Sequence, residues 1–416
     1  MNTFTYLFLV ALAISFGLNA WLAKRHSRHI QQHRAQVPTD FQEKISLAEH
    51  QKAADYTLTK LRLGDIERIF SLVLLVLLTL GGVLEGLFAA WQGWLGDGLL
   101  AGLAAIASLT LLMTLVGLPF ELYQTFVIEQ RFGFNKSTPQ QYCKDQLLQL
   151  ALMAVIGLPL LALILWLMAS LESTWWLVAW AVLMGFSVLM SWLYPTLIAP
   201  LFNEFTPLEE GSLRQRIENL LKRCEFSSQG IFIMDGSKRS GHGNAYFTGF
   251  GDKKRIVFFD TLVASLSEAE LEAVLAHELG HFKRKHVIKM LIASSIMTLI
   301  GFAILGFLSE QSWFYSGLGV ATPSNAAALV LFTLVMPVFT PFLQPISAYF
   351  QRQFEFEADA FAAQHSKADL LISSLVKLYQ ENASTLTPDP LYSAFHYSHP
   401  PAAVRINHLK SLPSAS

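Results

Sequence analysis

Lysine and arginine are missing from three long stretches of this chain, residues 69–130, 145–213 and 290–351, and apolar residues fill them. A helix needs about 20 mostly apolar residues to cross a bilayer. By that measure the pattern predicts seven spans, at 4–22, 69–91, 99–122, 147–169, 175–198, 287–308 and 325–349. The pattern changes between 200 and 286. A helix is predicted near Leu213–Cys224, then short strand-like runs at Ile231–Met234, Ala245–Thr248 and Ile256–Phe259. Clusters of Gly, Asp, Ser and Lys between the runs read as turns. A block of about 85 residues is small for a core of its own. It is expected to be completed by the segment that follows Arg352. The layout is therefore a membrane part over 1–199 with five spans and a polar helical arm at 24–68, a folded block at 200–286, two spans within 287–350, and a C-terminal segment at 351–416.

The basic residues set the orientation, because cytoplasmic loops carry the excess of Lys and Arg. Residues 24–68 hold nine, 131–144 hold three, 214–289 hold thirteen and the tail from Arg352 holds five. The intervening connections near Trp91–Gly98, Glu172 and Ser309–Ser324 hold none. The alternation fits seven spans with an outside N-terminus and a cytoplasmic C-terminus. The first apolar run lacks a basic segment before it and is read as a span rather than a cleaved leader.

Composition sharpens this picture in two ways. Charged residues make up 15% of the chain, against roughly 25% in a soluble domain. The net charge of −1 argues against nucleic acid as a partner. Glu85 and Glu121 fall in or beside spans, where ionisable groups are functional candidates by default; solvation at the interface is the plainer reading. Pro337, Pro341 and Pro345 should kink the last span.

The chemistry concentrates at His277-Glu278-Leu279-Gly280-His281, an H-E-x-x-H run. Ser267 and Glu270 form an S-x-x-E capping box that opens a helix just before it. Residues four apart share a helix face, so His277 and His281 make half of a tetrahedral zinc site. Glu278, beside the first ligand, is placed to take a proton from metal-bound water.

A third ligand is expected downstream. Glu355 and Asp359 are four apart and share a face, while Glu357 points away. A His/His/Glu set leaves the fourth position open, which is the catalytic pattern. Asp359 is then placed to hold a ligand imidazole by its other nitrogen. Taken alone, the three acids read more readily as a solvated helix face; the histidines upstream tip the balance to Glu355.

Four segments carry a resemblance beyond the metal motif. They are Leu118–Glu129 followed by Phe132-Gly133-Phe134-Asn135, then Asn244–Phe247, Glu355–Ala362, and His396–Pro401 with Arg405. Together they resemble the type-I CAAX prenyl protease family of integral-membrane zinc metalloproteases, the sterile-24 type. A prokaryotic member is expected, which would sit in the inner or plasma membrane. The shorter bacterial heat-shock membrane proteases share the zinc chemistry but not the long N-terminal part. The resemblance implies an all-α membrane protein, seven helices forming a barrel around a hydrated chamber, with a small α+β metalloprotease domain of the gluzincin type. It implies one zinc ion on the cytoplasmic side. It places Asn244 and Ala245 on an edge strand that pairs with an extended peptide. His399 would bind the carbonyl oxygen as charge develops, and Arg405 would support the site through a carboxylate such as Asp359. The substrates implied are peptides or proteins that are membrane-associated or of the CAAX type. A general quality-control protease without CAAX preference is the alternative enzyme. A zinc transporter or a zinc-stabilised scaffold is the alternative of another class, and Glu278 argues against it, since neither needs a base beside its metal.

Overall fold

The computed structural model describes residues 1–248 and 254–412. Among the described residues, six helices are long and apolar enough to cross a membrane: Thr3–His33, Leu99–Phe132, Pro139–Ser170, Glu172–Phe202, His286–Ser309 and Asn325–His365. The expected second span is a bent pair, Leu47–Leu78 and Val83–Leu95, meeting at 49°. Counted as one crossing, it makes seven. The break falls where hydropathy is blind, at Gly81-Gly82 inside an apolar run. Gly82 takes a left-handed φ of 77°, which costs glycine nothing. A side chain at Gly319 would strike the Thr79 carbonyl, so the break is packed against the loop between the last two spans.

Several spans run past the bilayer ruler. Two contain π-helical turns that abut prolines, Met153–Gly157 before Pro159 and Tyr194–Ile198 around Pro195. A proline lacks the N–H that would pair with the carbonyl one turn earlier, and the local register loosens there. The last span passes through a 3₁₀ turn at Thr340–Leu343, holding Pro341, and continues as helix to His365. One continuous rod thus leads out of the membrane part and delivers Glu355 and Asp359. Glu85 and Glu121 act as ties: Glu85 accepts from the Ala321 N–H at 2.9 Å and Glu121 from the Tyr142 hydroxyl at 3.0 Å.

The polar block forms a four-stranded sheet, ordered β1-β2-β4-β3, with β1 Phe205–Pro207, β2 Ile231–Met234, β3 Ala245–Thr248 and β4 Arg255–Phe259. β2 and β4 are parallel; β1 on β2 and β3 on β4 are antiparallel. β1 was not anticipated: three residues ending in proline make a weak strand signal. Its core joins Ile217, Leu220 and Phe258 to Leu271, Leu275 and Leu279, and also to Phe361, Leu371, Leu375 and Leu409 from the C-terminal segment. A separate apolar core lies among the membrane helices, around Phe8, Leu84, Leu165, Phe314 and Leu331.

Candidate active site

The H-E-x-x-H helix spans Glu268–Lys283. Ser267 caps it, and Glu270 completes the box by returning to the Ser267 N–H at 2.8 Å. Glu270 also accepts from Lys377 and Ser373, each at 2.7 Å. Burial raises its pKa, but the ammonium and the hydrogen bonds outweigh that and hold it at about 2. A buried carboxylate thus locks the start of this helix to helix Ala368–Glu381.

At its far end the helix crosses the rod that carries Glu355. A Cβ on Gly280 would stand 2.9 Å from the Ala358 Cα. Glycine between His277 and His281 therefore lets the helices approach until Glu355 reaches them. His277 Nε2 and His281 Nε2 lie 3.2 Å apart. Glu355 Oε1 is 3.2 Å from His281 Nε2, and Oε2 is 3.5 Å from His277 Nε2. Ligand atoms about 2.05 Å from a tetrahedral ion are separated by about 3.3 Å, so the three side chains fit a metal of zinc's size. Burial and Arg405 press His277 toward its neutral form, yet Asp359 and Glu355 overcome them and push its pKa up to about 9. The centre is thus arranged to hold positive charge.

The residues around this trio also converge. His277 Nδ1 is 2.9 Å from Asp359 Oδ1. Arg405 grips Asp359 through Nε at 2.9 Å and through Nη2, and reaches Glu355 with Nη1 at 3.3 Å. Asp359 and Arg405 are buried. His399 stands at the mouth, its side chain 67% exposed, with Nδ1 2.9 Å from Glu355 Oε2. Glu278 is half-buried beside His277. Asn244 immediately precedes β3 and Ala245 begins it; β3 is one of the sheet's two edge strands, and the Asn244 carbonyl accepts from the Phe259 N–H at 3.0 Å.

The loop leading into β3 is anchored by residues to which the sequence assigned no physical role. His242 Nδ1 and the Gly243 N–H meet Asn382 Oδ1 at 3.1 and 3.3 Å. Asn382 thus clamps the approach to this edge strand. Phe134 and Lys136 exchange backbone hydrogen bonds with Gly241 and Arg239, and Arg239 pairs with Asp145 at 2.7 Å. Glu129 accepts from Tyr56 at 2.6 Å and lies 3.5 Å from His242 Nε2. The Leu118–Asn135 segment therefore has a physical role: it moors this loop to the membrane helices.

Glu357 lies off the trio, as helical phase expects, and it has a partner of its own. It meets His286 Nε2 at 3.1 Å, and His286 Nδ1 is 3.0 Å from His281 Nδ1.

Membrane-spanning helices, a small sheet and a buried His/His/Glu centre define a membrane-embedded metalloprotease. A family model described as the CAAX prenyl protease N-terminal region of five membrane helices matches residues 26–204, and peptidase family M48 matches 207–412. The chain is 41% identical to a CAAX prenyl protease 1 homolog of Arabidopsis thaliana over 295 residues, 70% of this chain and 68% of that one. It is 31% identical to a CAAX prenyl protease 1 homolog of Homo sapiens over 455 residues, 98% and 96% of the two chains. The crystal structure of S. mikatae Ste24p superposes with a TM-score of 0.91 at 31% identity, covering 98% of this chain and 99% of that one. The chain belongs to the CAAX prenyl protease 1 family, within peptidase family M48.

Proposed function

We propose that this protease binds one zinc ion through His277, His281 and Glu355 and cleaves membrane-associated peptides, CAAX-type C-termini among them. The observation that carries this reading is the spacing of the three side chains, matched to a tetrahedral ion, with Glu278 next in sequence to the first ligand. Zinc bound there supplies Lewis acidity toward water and the scissile carbonyl.

The chain's own groups do the rest. Glu278 takes the proton from the attacking water and returns it to the leaving amine. His399, exposed at the mouth, donates a hydrogen bond to the carbonyl oxygen as it gains charge. Asp359 fixes the His277 ring through Nδ1, and Arg405 fixes Asp359. Asn244 and Ala245 present the edge of β3, so an extended substrate adds as a further strand. The Lys/Arg distribution supports a cytoplasmic site. Spans His286–Ser309 and Asn325–His365 run as a hairpin, so both halves of the centre emerge on one side.

Glu278→Gln tests the reading. The carboxamide cannot act as a base, so peptide hydrolysis should fall about 10²–10⁴-fold while zinc content stays normal. Full activity in this variant would end the mechanism.

A further inference from the structure

We infer that His286 and Glu357 position the second ligand, His281, as Asp359 and Arg405 position the first. The inference rests on the reading of His281 as a ligand. A metal at His281 Nε2 uses that nitrogen's lone pair, so the ring proton belongs on Nδ1. The atom facing it is His286 Nδ1, at 3.0 Å. To accept that proton, His286 must be bare at Nδ1 and protonated at Nε2. Its Nε2 faces Glu357 Oε2 at 3.1 Å, an acceptor in the right place. One tautomer assignment satisfies every atom from Glu357 to the ligand nitrogen. His286 is not itself a ligand, because it meets His281 on the edge opposite the trio.

The backbone supports the assignment. Had the helix continued unbroken, a residue five places after His281 would lie about 140° round from it. The helix instead stops at Lys283, and Lys285 adopts a left-handed φ of 58° before the next span begins at His286. A side-chain-bearing residue at positive φ is strained, and it persists when its surroundings fix it. Here it returns His286 to the outer edge of His281. His286 is fully buried and stacks on Phe354, ring centroids 4.3 Å apart and 14° from parallel. Phe354 immediately precedes Glu355, so the pair ties the start of the span after the H-E-x-x-H helix to the rod that carries Glu355.

The test measures zinc affinity by chelator competition and the visible spectrum of the cobalt-loaded protein, so no activity is needed. His286→Leu keeps the bulk and removes the acceptor; it should bind zinc about 10–100-fold more weakly and shift the cobalt bands. His286→Asn restores an acceptor and should recover most of that affinity. Glu357→Ala should weaken zinc binding by less than His286→Leu, and Glu357→Gln by less again. Unchanged affinity in both His286→Leu and Glu357→Ala overturns the inference. Equal losses in His286→Leu and His286→Asn also overturn it, since they leave packing as the role of His286. If His286→Leu does not fold, the half-exposed Glu357 decides in the same way: loss in Glu357→Ala with recovery in Glu357→Gln supports the inference, and wild-type affinity in Glu357→Ala overturns it. His281→Ala separates the two levels. Full zinc binding there sinks the ligand reading, whereas lost binding there beside wild-type affinity in the other variants sinks the positioning alone.

Discussion

Where the H-E-x-x-H helix crosses the Glu355 rod, a Cβ on Gly280 would meet Ala358 and Phe361 within 3.1 Å; along the membrane wall, a Cβ on Gly117, Gly185 or Gly301 would meet no neighbouring element within 4 Å. At the crossing, Arg405, Asp359 and His277 are buried and bonded in series, and Gly280 rests on Ala358. Many large apolar side chains of the wall are exposed, among them Leu115, Val188 and Ile300. Lipid tails are as apolar as leucine and ask little of the face they meet. The centre is specified by direction and distance, the wall by composition and length. Mutations should therefore cost far more at the crossing than in the wall.

The largest effect is expected at Arg405. Arg405→Leu removes the partner of Asp359, which is fully buried. Removing one member of a buried ion pair costs about 3–5 kcal/mol, because the other charge is left without compensation. Thermal unfolding in detergent should show that loss, and zinc affinity should fall with it as His277 loses its fixed orientation. A variant as stable as the parent would mean the pair contributes nothing net to the crossing.

Next comes the lock at the opposite end of the same helix. Glu270 has a folded pKa of about 2, below the ordinary 4.5. A depressed carboxylate contributes stability that is complete above the unfolded value and is lost as pH falls through the folded one. The shift is worth about 3 kcal/mol, present at neutral pH and lost between roughly pH 4.5 and 2. Glu270→Gln should flatten the acid limb of the stability curve across that window. An unchanged acid limb would assign the acid sensitivity to other carboxylates.

The same contrast explains what could be read from the sequence. Span number followed from apolar run length and loop charge, which act over 20 residues at a time. The shared faces of His277 with His281 and of Glu355 with Asp359 followed from four-residue spacing, which holds within an unbroken helix. Whatever depended on a break in regular structure was hidden. Gly81-Gly82 bends the second span inside a run that hydropathy reads as uniform. Lys285 resets the helical phase, so the distance from His281 to His286 could not be converted into a direction. Glu357 was correctly placed off the trio, but its partner comes from another element that phase cannot see. The mooring by Asn382 and Glu129 joins residues 139 and 113 positions away from the loop they hold, and neither spacing nor hydropathy records such pairings.

The smallest effects come from paired glycine substitutions, one in each region. Gly280→Ala places a methyl group 2.9 Å from the Ala358 Cα and 3.0 Å from its carbonyl oxygen, both backbone atoms that cannot swing aside. The helices must separate by a few tenths of an ångström, and overpacking of this kind costs about 1–3 kcal/mol. The separation moves Glu355 away from both histidines, so zinc affinity should drop even where the fold survives. Gly185 is helical within the Glu172–Phe202 span, and its methyl would enter open space. Alanine is the better helix former by roughly 0.5–1 kcal/mol, so Gly185→Ala should be neutral or slightly stabilising, with zinc affinity unchanged. Measuring both variants by thermal unfolding and chelator competition tests the contrast within one substitution type. Equal costs at the two positions would mean the wall is as tightly specified as the centre, with a partner seated on the face around Gly185.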